Sequence, residues 1–150
     1  MNKILFAYPT LQKDGIKGLK WYQPMPMLSP SPTNELQTVI ITIGFSVPVN
    51  HLVRTEIDIL FNNHTVIIMH DDDGYFETSS INFIESDHVC YISSMFVSDV
   101  DLSKEGLYEA KITNFKNDEH GNKTSEIIDS HSCYFHVIHH TGDAVNGASL

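Results

Sequence analysis

Apolar and polar residues alternate along much of this chain with a period of two, the spacing of a strand that buries one face. The clearest run lies between Leu36 and Val47. Val39, Ile41, Ile43, Phe45 and Val47 share one face, and Thr38, Thr42 and Ser46 fall on the other, as in a half-buried strand. Pro48-Val-Asn-His breaks the run. A second strand sets Thr55, Ile57, Ile59 and Phe61 against Arg54, Glu56 and Asp58. Asn62-Asn63 is a tight-turn signal, and Thr65 to Met69 returns as a short hairpin partner. Tyr91 to Val100 predicts a further strand, and Leu107 to Phe115 another, with Tyr108, Ala110 and Ile112 on one face. Lys116 to Lys123 is a polar hairpin loop, and Ser125 to Ile138 closes the sheet. Lys3 to Tyr8 reads as a short opening strand stopped by Pro9, while Ile81 and Phe83 offer a weaker strand in the middle. Neither a long helical period nor an internal repeat is present. About seven to eight strands at this spacing predict an all-β, antiparallel sandwich of two sheets.

Two segments stand outside the alternation. Residues 11–34 hold four prolines and the run Gln23-Pro-Met-Pro-Met-Leu-Ser-Pro-Ser-Pro-Thr33. Proline fixes φ and removes a donor, so this is extended loop or sheet edge and not a central strand. Trp21, Tyr22, Met25 and Met27 lie in it and have to cover something. One role for the segment is a wrap that seals an edge of the sandwich. Residues 141–150 are small and polar and predict a flexible tail, leaving 1–140 as a single sandwich domain.

Between the last strands stands Asp101-Leu-Ser-Lys-Glu-Gly-Leu-Tyr108-Glu-Ala-Lys-Ile112. A glycine and a buried tyrosine at such a corner suit a chain crossing between two layers. With the order of its strands, this corner resembles immunoglobulin-like sandwiches. It is most similar to small bacterial cytoplasmic members that begin with an N-terminal strand and a Pro-rich wrap. The resemblance spans roughly residues 3–138 and implies a fold and, through it, an interaction role; it carries over no catalytic residue. One departure from antibody-type domains is plain. No cysteine sits in the Val39–Val47 strand, and Ala110 stands two residues after Tyr108, so the inter-sheet disulfide is absent.

Composition narrows the function. A chain of 150 residues buries roughly 70% of its unfolded surface on folding and needs no disulfide or metal staple. Nine basic residues against 19 acidic give a net charge of −10, a field that repels phosphates and anionic lipid. Nucleic-acid and membrane partners are therefore not expected. Lys13, Lys17 and Lys20 are the one dense basic group and read as a solvated loop. The apolar run Ile4–Tyr8 is shorter than the 7–15 residues of a secretory core, and no run nears the ~20 of a membrane helix. A cytoplasmic location follows as the expectation, with Cys90 and Cys133 as small buried thiols. The sequons at Asn63 and Asn122 then carry no sugar.

Candidate chemistry is sparse. No nucleophile elbow, phosphate-binding loop or dinucleotide-binding turn is present, so neither an enzyme nor a cofactor is expected. The leading expectation is a non-enzymatic module that binds a protein partner or a second copy, with Trp21, Tyr22, Met25 and Met27 as its interaction residues. Aromatics and methionine are enriched in interface cores. If those side chains pack inward, the interface lies elsewhere. The alternative is a Ca²⁺- or Zn²⁺-dependent ligand- or membrane-binding domain. Asp71, Asp72 and Asp73 in a loop tip offer oxygen ligands for a hard cation, although three Asp before Gly74 is also ordinary turn chemistry. On the last strand, His131, Cys133 and His139 would share a face, and His136 and His140 the other.

Overall fold

The computed structural model describes residues 2–13, 22–30, 35–48, 53–68, 75–85 and 88–139, with backbone alone for 75–85 and for 88. Its strands are β1 (Lys3–Leu11), β2 (Met27–Leu28), β3 (Gln37–Pro48), β4 (Val53–Phe61), β5 (His64–Thr65), β6 (Tyr75–Glu85), β7 (His88–Val100), β8 (Gly106–Asn117) and β9 (Lys123–Val137). They form two sheets. One has the order β1-β3-β7-β6 and the other β2-β9-β8-β4-β5. All neighbours are antiparallel except β2 and β9. The fold is all-β and sandwich-like, and the five-stranded sheet curls into a half-barrel. Among the described residues no helix is long and apolar enough to cross a membrane.

The core lies between the sheets. Val39, Ile41, Ile43, Phe45 and Val47 of β3 meet Tyr108, Ala110 and Ile112 of β8, Cys133, Phe135 and Val137 of β9, and Ile59 of β4. These are the alternating sets that the sequence predicts.

Four expectations change. Pro9 does not stop the first strand but sits inside β1, opposite Ile41. β1 is an edge, and the Pro9 carbonyl accepts the Met25 N–H at 2.9 Å on the side away from β3. The proline nitrogen faces that same side, so no ladder bond is lost. β3 is buried on both faces, because Ile40, on the supposedly open side, packs against Tyr22 and Phe96. The predicted return strand Thr65–Met69 reduces to His64–Thr65. The chain then leaves for the other sheet: Ile67 bridges Val100, and Ile68 N–H donates to Asp99 O at 2.9 Å. A bulge in β7 with Asp99 at φ 58° turns that carbonyl toward Ile68. Lastly, β6 runs from Tyr75, well before Ile81.

Residues 25–28 join the two sheets at one side. Met25 donates to Pro9 of β1, while Pro26 and Leu28 accept from His136 and Ile138 at 2.9 and 3.0 Å. Residues 25–28 of the Pro-rich wrap thus seal an edge of the sandwich.

Candidate interaction surface

The four wrap residues do not act together. Trp21 lies outside the described residues. Tyr22 is 4% exposed and packs edge-on against Phe96, on the outer face of the four-stranded sheet. Its carbonyl accepts the Tyr8 hydroxyl at 2.8 Å. Met25 packs against the main core, and Met27 is 55% exposed. They diverge because Met27 and Leu28 are consecutive residues of a strand, whose side chains take opposite faces. Leu28 goes into the core.

Met27 belongs instead to a surface on the outside of the five-stranded sheet. Its register partner on β9 is His136, and His136 is also the partner of Leu107 on β8. Met27, His136 and Leu107 thus form one row across three strands. In the next row Tyr134 opposes Glu109, whose carboxylate accepts the Ser132 hydroxyl at 2.6 Å. Leu107 is 50% and Tyr134 58% exposed. Met27 and Leu107 therefore flank the His136 imidazole in one row, and Tyr134 stands in the next. Single exposed apolar residues are ordinary, but a contiguous group marks a place of contact.

Sequence reasoning missed Leu107 and Tyr134. The signal was present: each is apolar but out of phase with its strand's buried set, Tyr108-Ala110-Ile112 in one case and Cys133-Phe135-Val137 in the other. Counting only in-phase residues hides them.

The other half of this face is charged. Lys123 Nζ lies 2.9 Å from Glu56 Oε1 and 4.1 Å from the centre of the Phe115 ring. Arg54 Nε is 4.0 Å from the same carboxylate oxygen. Thr65 donates to Asp58 at 2.6 Å.

The proposed cation residues Asp71, Asp72 and Asp73 lie outside the described residues, as does His140. Among the described residues no three His, Cys, Asp or Glu side chains gather as a metal ion requires. On β9, His136 is exposed, and the His139 ring Nε2 lies 3.0 Å from the Leu102 carbonyl. Cys90 and Cys133 are free, and burial pushes the Cys133 thiol up to about 11, leaving it protonated at neutral pH.

One end of the sandwich has a polar interior. Thr55 donates to Asn114 Oδ1 at 2.7 Å, and Asp129 Oδ2 accepts the Ile4 N–H at 2.7 Å. Asn114 Nδ2, Asn117 Oδ1 and both carboxamide atoms of Asn2 are buried there without a hydrogen-bond partner.

No family model matches the chain, and no curated protein matches it.

Proposed function

We propose that this chain is a non-enzymatic protein-interaction module of the immunoglobulin-like type, working in the cytoplasm. Three observations support the fold assignment. The sheet order β1-β3-β7-β6 follows the A-B-E-D arrangement of that fold, and β9, β8 and β4 follow its G-F-C sheet. Tyr108, at the start of β8, donates its hydroxyl to the Lys104 carbonyl at 2.7 Å, as the tyrosine of such a corner does. Gly106, at φ 139°, makes the turn that a side chain would strain. The curl of the five-stranded sheet and the missing inter-sheet disulfide are its departures. Free thiols also suit a reducing compartment.

The function rests on one observation, the exposed row of Met27, His136 and Leu107 beside Tyr134. An outward sheet face offers breadth, whereas small ligands need concave enclosure, so the partner is a protein. The net charge of −10 argues against nucleic acid.

The test places a photo-crosslinking amino acid at Leu107 in cells and, as a control, at Asn63 on the β4–β5 turn. A discrete adduct with one protein is expected at 107 only, lost on Met27→Glu or Tyr134→Glu. Adducts that ignore those substitutions, or no adduct at 107, would overturn the reading.

A further inference from the structure

A second surface carries its own signal. The free side of β4 is paired by β5 only at Leu60 and Phe61. Beyond them, the Ile59 carbonyl accepts the Val66 N–H at 2.8 Å, so Ile59 points its backbone groups away from β8. In an antiparallel ladder this direction alternates, so Ile57, Thr55 and Val53 also point outward. None of the three has a sheet partner on that side among the described residues. An unpaired row of donors and acceptors is a template for another strand.

The sequence of this edge is complementary to its own reverse. Val53-Arg54-Thr55-Glu56-Ile57 is apolar, cationic, hydroxylic, anionic, apolar. Lay β4 antiparallel against β4 of a second copy, with a two-fold axis at Thr55. Val53 then opposes Ile57, Arg54 opposes Glu56, and Thr55 opposes itself, each unlike pair occurring twice, as an isologous contact requires. The outward-pointing residues fall opposite one another, so the ladder closes with roughly six N–H···O=C bonds. Arg54 and Glu56 land in the non-hydrogen-bonded positions, where side chains approach most closely. Both are near half exposed on the outer face, at 45% and 44%. Moving the axis to Glu56 or to Arg54 sets like charges directly opposite, which destabilises a pair. One register is admitted and its neighbours are rejected.

Local charge supports approach of a second copy. Arg54 stands against Glu56 and Asp58, with Lys123 on Glu56 and Lys111 across from Asp58, so this edge does not share the excess of negative charge in a molecule of net charge −10. We propose that β4 is a self-recognition edge, through which two copies join their five-stranded sheets into one continuous sheet about a two-fold axis at Thr55. This rests on the reading of the chain as a protein-interaction module and names a second copy as one of its partners, at a surface distinct from Met27, Leu107 and Tyr134.

Sedimentation and light scattering of the full chain over a concentration series test it, with circular dichroism melts to show that each variant stays folded. A dimer is expected. Arg54→Glu and Glu56→Arg should each weaken it at least tenfold, and the double reversal Arg54→Glu/Glu56→Arg should restore it. A monomer at every concentration, or a dimer indifferent to the single reversals, overturns the self-pairing. Neither result touches the adduct at Leu107, so the broader interaction reading stands or falls separately.

Discussion

Tyr108 ties several elements of the molecule together. It is 1% exposed, with its ring 4.7 Å from that of Phe61 and 5.6 Å from that of Phe135, while its hydroxyl reaches back to Lys104. Burial raises its pKa above the ordinary 10. Above about pH 10 the unfolded chain therefore releases a proton that the folded chain retains, and stability falls as pH rises. Below pH 10 the phenol is neutral in both states and contributes no slope. Tyr108→Phe is expected to cost about 1 kcal/mol at pH 8, the net worth of one hydrogen bond, and to flatten the alkaline slope. Urea melts at pH 8 and pH 10.5 measure both effects. A slope that survives the substitution would assign it to Tyr91 and Cys133, which burial shifts the same way. This residue and Gly106 were legible in the sequence because a corner imposes a local requirement. Leu107, between them, was not, since its exposure depends on which strand lies alongside.

At the scale of elements, alternation located β3, β4, β7, β8 and β9 because each buries one face against the other sheet. It could not show that β3 is covered on its second face as well. That cover comes from Tyr22, some twenty residues away in a segment with no period of its own. Ile40 and Phe96 are 0% and 6% exposed beneath it. The wrap therefore divides by energy. Tyr22→Ala is expected to cost about 3 kcal/mol, as for a buried aromatic, and Met27→Ala within about 0.5 kcal/mol, as for a surface residue. Chemical denaturation of the two variants checks it, and equal costs would remove the distinction. β6 was hard to read for a different reason. It is an edge of its sheet, held by backbone pairing to β7 that shifts register between Ser79 and Phe83, and Glu77-Thr-Ser-Ser carries no alternation. β1 was cut short because proline ends central strands, whereas on an edge it is tolerated.

Across the whole molecule, the two sheets are joined in two ways: by backbone, through residues 25–28 and again through 66–68, and by side chains at one end. The second junction has a bearing on how the protein opens. There Asp129 replaces a ladder carbonyl for Ile4, and the carboxamides of Asn2, Asn114 and Asn117 give up water without recovering all its hydrogen bonds. Each such group costs about 1–3 kcal/mol while buried, and that cost is relieved when the end unseals. Local opening follows the least costly route, so hydration should enter from this pole. In native-state hydrogen exchange, the amides of Ile4 and of Asn114 to Asn117 are expected to take up deuterium well before those of Tyr108 to Ile112. Uniform exchange along β8 would contradict this. The sandwich then behaves as a hinged book, clasped along the 25–28 seam and at the tyrosine corner, that breathes from its polar end while the row of Met27, His136 and Leu107 stays shut.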